Sequence, residues 1–223
     1  MTIWFATGNM HKKAELAAIL AENGCAGFSL LTPPDAALAF APEETEDTFH
    51  GNALLKARAL RDLLRAARPA AYTEDDPIIA DDSGICLDAL GGRPGIFSAR
   101  YCGAGCAPGE KSLDDGERNA LLLAELGDNP ERSARFVCAL ALLLGEHRFC
   151  VCQETFEGEI VCDAGLARGR GGFGYDPILF IPSLGRTVAE LSQSEKNALS
   201  HRAKAGKRAA QIIAREYGAF SKV

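Results

Sequence analysis

Thr2 to Gly24, TIWFATGNMHKKAELAAILAENG, decides how the fold is read. TIWFA (Thr2 to Ala6) is a short β-branched and aromatic run, as a buried strand requires. The turn-prone Thr7-Gly8-Asn9 ends it, and KKAELAAILAENG then sets Leu16, Ile19 and Leu20 at i, i+3, i+4 spacing, with Gly24 placed as a C-terminal stop. Strand, loop, helix is the opening of an α/β protein.

The pattern continues down the chain. A second helix is expected from about Thr48 to Arg65, with Thr45, Asp47 or Thr48 as N-cap and with Phe49, Ala53, Lys56 and Leu60 on one face. Arg65 to Pro77 (RAARPAAYTEDDP) reads as an exposed connection. Ile78-Ile79-Ala80 is a short strand, Ile85-Leu87-Ala89 alternates like another, and ARFVCALALLLG and RFCVCQETF supply two more, with a turn at Glu157-Gly158-Glu159. Leu113 to Leu126 is helical. GRGGFGYDPILFIP is a glycine-rich loop entering a strand, and Ser192 to Glu195 fits a capping box before a last helix ending near Gly218. Interleaved strands and helices predict an α/β fold with a central mixed β-sheet flanked by helices.

At 223 residues and 47% hydrophobic composition, the chain can bury a full core as one domain or two closely joined lobes. A formal charge of −6 argues against broad nucleic-acid binding, which needs a basic face, but leaves a small anionic ligand open. No apolar run approaches the roughly 18 residues that span a bilayer, and MTIWFATGNMHKK lacks a signal-peptide cleavage pattern, so a cytoplasmic protein is expected. The eight cysteines form no CxxC pair and have no histidine at zinc-finger spacing; free buried thiols are the favoured reading, ahead of disulfides or metal.

Five stretches carry chemistry. TGNMHKK sets free backbone N–H groups and a helix dipole where an anion could sit, with Lys12 and Lys13 adding charge; from this stretch alone a plain βα turn with solvated lysines is the favoured reading. It is not a Walker A loop. In PEETEDTFHGNALLKA, Glu43 and Glu44 precede a helix, and Lys56 on the inward line must snorkel out or meet an anion. In ADDSG, Asp81 and Asp82 follow a strand, where α/β ligand sites gather, and strand alternation gives them different faces. One can hold a hard cation such as magnesium while the other orients a partner, although the pair also reads as a solvated Asx-turn. The haloacid-dehalogenase pattern DxDx[TV] does not fit.

GRGGFG matches GxGxxG through Gly169, Gly171 and Gly174, but a strand follows it where a dinucleotide site needs a helix. Phe173 and Tyr175 can instead stack on a base and Asp176 can hold a donor, or both aromatics are core. In SEKNALSHRAK, Lys196 and His201 would stand roughly 140° apart on one continuous helix, so joint service with Arg202 requires a break with Ser200 as N-cap.

Taken together, TGN..K, EET with N-A-x-x-K-A, ADDSG…L-x-G-x-P-G-x-x-S-A-R-Y, GGFGYDP and EK-x-x-x-SHR closely resemble the inosine triphosphate pyrophosphatase family over nearly the whole chain. The resemblance implies magnesium-dependent hydrolysis of ITP, dITP and XTP to monophosphate and pyrophosphate. It also implies a two-lobed, ITPase-like fold with the nucleotide between lobes, usually a homodimer. Carried over, Thr7, Gly8, Asn9, Met10, His11 and Lys12 line the triphosphate site. Glu43 and Asp82 serve the metal, supported by Asp81 and Glu44, and Ser83 touches substrate. Phe173, Gly174, Tyr175, Asp176, Lys196, His201 and Arg202 hold base and sugar. Asp82 matches the family's proton acceptor, with Lys12 and Lys56 offsetting phosphate charge. Met10-His11 replaces a smaller pair, and the Arg65 to Pro77 connection is longer than usual. Donors from His201 or Arg202 would favour a 6-keto purine. The competing readings are a Maf-like pyrophosphatase acting on pyrimidine or modified nucleotides, a non-catalytic nucleotide sensor, and, resting on GRGGFG alone, a dinucleotide oxidoreductase.

Overall fold

The computed structural model of the protein describes residues 1–107, 110–169 and 171–218, so Arg170 of the glycine-rich stretch lies outside the described residues. The strands are β1 (Thr2–Phe5), β2 (Ser29–Leu31), β3 (Ile78–Leu87), β4 (Ser133–Leu143), β5 (Phe149–Ile160), β6 (Leu179–Ile181) and β7 (Arg186–Thr187). They form one mixed sheet in the order β2-β1-β3-β4-β5-β6-β7, parallel where β1 meets β2 and β3 and antiparallel along β5, β6 and β7. The helices are α1 (Met10–Leu20), α2 (Phe49–Ala67), α3 (Asp115–Leu126), α4 (Gln193–Leu199) and α5 (His201–Tyr217). The mixed, helix-flanked sheet is the fold class that the alternating pattern predicts.

The chain divides into two compact units. The first comprises Met1–Asp82, Cys138–Glu154 and the chain from His201 onward. Its strands sort their side chains by alternation. Ile3, Phe5, Ile79, Cys138, Leu140 and Leu142 pack on one face with Leu16 and Leu20 of α1 and Ala205, Ala209 and Ile213 of α5. Trp4, Ala6, Ile78, Ala80, Ala139 and Ala141 pack on the other with Ala53, Ala57, Leu60 and Leu64 of α2. Each fully buried leucine or isoleucine here contributes about 1.5–3 kcal/mol. Helices α1 and α5 approach closely at Gly206, where a Cβ would lie 2.8 Å from Ile19.

The second unit comprises Ser83–Val137 and Thr155–Ser200. Its core gathers Ile85, Leu87, Phe136, Phe156 and Ile160 of the strands with Leu122 and Leu126 of α3.

The structure corrects three local expectations. Asp81 to Gly84 do not follow a strand; they lie inside β3, which runs unbroken from Ile78 to Leu87. Gly84 permits this, because a Cβ there would fall 2.3 Å from the Gly95 carbonyl oxygen. Glu157 to Glu159 is likewise strand, not turn: Gly158 is needed for close approach, its notional Cβ lying 2.5 Å from the Phe180 carbonyl oxygen. Two of the cysteines are not free thiols. Cys102 and Cys106 form a disulfide across a Gly-Ala-Gly span that brings their Cα atoms to 5.7 Å, within ordinary disulfide reach. The other six are free.

Candidate active site

In the first unit the charged side chains singled out in the sequence form two ionic clusters on opposite faces of β3. Asp81 shares the face of Ile79. Its Oδ1 accepts from Lys12 Nζ at 2.6 Å, and its Oδ2 accepts from Arg202 Nε at 3.1 Å and Nη2 at 3.0 Å. Arg202 Nη1 also donates to Glu15 Oε2 at 2.6 Å, and the Cys138 thiol lies 3.8 Å from Asp81 Oδ2. Burial alone would raise the Asp81 pKa, but the charges of Lys12, Arg202 and Lys56 outweigh it and hold the carboxyl well below the usual range. Burial, reinforced by Asp81, pushes the Cys138 thiol up to about 12, so it stays protonated.

Asp82, one residue on, faces α2. Lys56 Nζ donates to Asp82 Oδ1 and to Glu44 Oε1, each at 2.8 Å. The inward lysine of the second helix therefore meets anions and does not snorkel to solvent. Asp82 Oδ2 is buried and has no hydrogen-bond partner. Burial raises the Asp82 pKa; Lys56 opposes the shift, and the charges of Glu44 and Asp81 add to it. For Lys56, burial pulls down, but Asp82 and Asp81 more than restore it, so the ammonium persists. A buried carboxylate with one oxygen committed to a lysine and one left open can take a metal ion or the proton of a water.

The TGN turn is more self-contained than the sequence suggests. Asn9 is the α1 N-cap, its Oδ1 accepting from the backbone N–H of His11 and of Lys12, while Thr7 Oγ1 accepts from Asn9 N–H. Gly8, Asn9, Met10 and His11 are exposed, and Thr7 is buried. Lys13 does not add charge to this turn's pocket; it pairs with Asp35 at 2.6 Å. Glu43 is exposed, and Glu44 is the glutamate that reaches Lys56.

The last helix, read as one from the Ser192 capping box to about Gly218, is instead broken at Ser200, the condition under which Lys196, His201 and Arg202 can serve together. Ser200 is extended between α4 and α5, and His201 and Arg202 open α5, both buried. Ser200 is buried as well, and Ser83 is half-buried.

In the second unit, Asp176 Oδ2 accepts from Lys196 Nζ at 2.8 Å and from Phe173 N–H at 2.9 Å. Lys196 Nζ also lies 4.8 Å from the centroid of the Phe173 ring, a cation–π contact. Gly172 has φ +77°, and a Cβ there would sit 1.9 Å from Asp176 Oδ2, so only glycine lets the loop close on this carboxylate. Tyr175 is a core residue whose hydroxyl donates to the Ser98 carbonyl at 2.8 Å, whereas Phe173 is half-buried. The loop leads into β6 with no intervening α-helix, unlike a dinucleotide fingerprint.

Sequence reasoning passed over Glu15, Cys138, Asp115 and Asn119. The signal was there for two of them: Glu15 adjoins Leu16 on the inward face of its helix, and Asn119 lies at i, i+3, i+7 with Leu122 and Leu126. A polar side chain on such a face must find a partner.

The Ham1 family matches residues 3–212 of the chain. The dITP/XTP pyrophosphatase of Treponema denticola is 42% identical over 92% of this chain and 94% of its own length. That of Geobacillus kaustophilus is 44% identical over 91% and 89%. Among solved structures, the Ham1 protein of Staphylococcus aureus superposes with a TM-score of 0.76 at 32% identity, covering 97% of this chain and 100% of that one.

Proposed function

The chain belongs to the Ham1 family, and from that premise we propose the reaction and the residues that perform it. The protein hydrolyses non-standard purine nucleoside triphosphates, dITP, ITP and XTP, to the monophosphate and pyrophosphate. The observation that carries the assignment of its reaction centre is Asp82 Oδ2, a buried carboxylate oxygen without a hydrogen-bond partner beside a charged lysine.

Magnesium fits this donor set. A hard cation takes carboxylate oxygens and substrate phosphates, and an orphaned buried oxygen is the kind of group it satisfies. Asp82 would hold it, with Glu44 or Glu43 as the second carboxylate; the contact of Glu44 with Lys56 favours Glu44. When bound, the ion would neutralise phosphate charge and polarise the α-phosphate.

The chain's own groups do the rest. Lys12 and Lys56 offset the negative charge that shifts to the departing pyrophosphate. Asp82 positions or deprotonates the attacking water. Asp81 holds Lys12 and Arg202 in place from the opposite face of the strand. Thr7 to Lys12 and Ser83 receive the triphosphate. Phe173 stacks on the base, with Gly174, Tyr175, Asp176 and Lys196 shaping its pocket and His201 and Arg202 completing the set. Action as a homodimer in the cytoplasm, where nucleotide pools lie, belongs to the same proposal. No helix among the described residues is long and apolar enough to cross a membrane.

The test is pyrophosphate release from ITP, XTP, dTTP, UTP and GTP, with and without magnesium. Preference for ITP and XTP, lost on chelation, is expected. Preference for dTTP or UTP would replace this reading with a Maf-like pyrimidine pyrophosphatase, and nucleotide binding without release would make the protein a sensor.

A further inference from the structure

We infer that Asp115 and Asn119, one turn apart on α3, are positioning residues that set the base-recognition loop Gly172–Asp176 by clamping both peptide groups of Gly174. The inference rests on the proposed role of that loop. Gly174 N–H donates to Asp115 Oδ2 at 2.7 Å, and Asn119 Nδ2 donates to the Gly174 carbonyl at 3.1 Å. Gly174 has φ +64°, so the clamped residue is the one at which the chain reverses between Phe173 and Tyr175.

The rest of the loop is tied down on either side of this point. Phe173 N–H goes to Asp176, the Tyr175 hydroxyl goes to Ser98, and Asp176 holds Lys196. Asn119 is buried on a helix face otherwise made of Leu122, Leu123 and Leu126, a costly place for an amide whose Nδ2 is spent on one carbonyl. Asp115 also pairs with Arg118 through its other oxygen. The two side chains act on the ring of Phe173 through the backbone and touch no phosphate-handling group.

The expected signature is a defect confined to the base. Asp115→Ala raises KM for ITP about tenfold, the worth of one hydrogen bond to a charged group, with kcat little changed. Inhibition by inorganic tripolyphosphate, which has no base, stays at the unsubstituted level. Amide hydrogen exchange at Gly174 quickens. Asp115→Asn loses the Arg118 ion pair but keeps an oxygen acceptor, and it restores the KM. Asn119→Ala repeats the defect, and because Asp115 is exposed, its variants fold even if the Asn119 variant does not. An unchanged KM for ITP, equal losses for ITP and tripolyphosphate, or unaltered exchange at Gly174 would each overturn the clamp. Failure of the unsubstituted protein to release pyrophosphate would instead count against the proposed function, and hydrogen exchange still decides the clamp.

Discussion

The two faces of β3 carry adjacent aspartates in opposite conditions. On the α1 and α5 face, Asp81 is saturated: both oxygens accept from cations, and its pKa is driven down. On the α2 face, Asp82 has one oxygen bonded and one orphaned, and its pKa is driven up. The difference separates a carboxylate that organises charge from one that is kept available. Saturation makes Asp81 part of the scaffold, whereas the unmet oxygen of Asp82 is what supports the proposal that it is the reactive one, because such an oxygen in a buried site is costly and persists where function needs it.

The largest effect should come from Asp82→Asn. Losing the base lowers kcat about 10²- to 10⁴-fold. The fold survives, because the neutral amide removes a charge that burial disfavours and Lys56 keeps Glu44. Steady-state pyrophosphate release, paired with a thermal melt, checks both halves. Near-normal turnover, or a melt well below that of the unsubstituted protein, would break the contrast between the faces.

Asp81→Asn should instead cost stability. Neutralising the shared partner of Lys12 and Arg202 takes the carboxylate charge of Asp81 away from a buried guanidinium, a loss of about 3–5 kcal/mol. The pH dependence has a definite sign. The folded pKa of Asp81 is depressed, so its contribution is fully present above the unfolded value of about 3.9 and disappears as pH falls through the folded value. Asp82 has the opposite sign: its folded pKa is raised, so its charge costs stability above that value and the cost is relieved as pH falls. Denaturant titrations across an acid-to-neutral series should therefore show Asp81→Asn converging on the unsubstituted protein in acid. Parallel curves for the two proteins would remove Asp81 from the scaffold.

Much of this was legible in the chain. Alternation alone put Asp81 and Asp82 on different faces, the periodicity of the second helix put Lys56 inward, and angular spacing made a break at Ser200 the condition for Lys196, His201 and Arg202 to share a ligand. What could not be read was set by long-range pairing. Nothing near Asp81 names Arg202, 121 residues away, or its second partner Glu15. The strand through Ser83 and Gly84 was obscured because turn-formers were read locally, whereas Gly84 is there to admit the Gly95 carbonyl. The disulfide was missed because Cys102 and Cys106 have no CxxC spacing, and only the backbone path between them brings their Cα atoms within reach.

The smallest expected effect sharpens the open face. The consecutive Glu43 and Glu44 compete for the role of second metal carboxylate, and the structure separates them as it separates the aspartates: Glu44 bridges to Asp82 through Lys56, while Glu43 is exposed. Glu44→Gln should lower the apparent magnesium affinity about 10- to 100-fold, the usual cost of losing a group that orients or completes a metal site. Glu43→Gln should leave stability within about 0.5 kcal/mol, as surface substitutions do, and should leave the magnesium titration nearly unmoved. Activity titrated with magnesium for both variants decides between them. If Glu43→Gln proves the more damaging, the loop before α2 must turn over when magnesium and triphosphate bind, and the open face of β3 would then be completed by a residue that the resting protein holds in solvent.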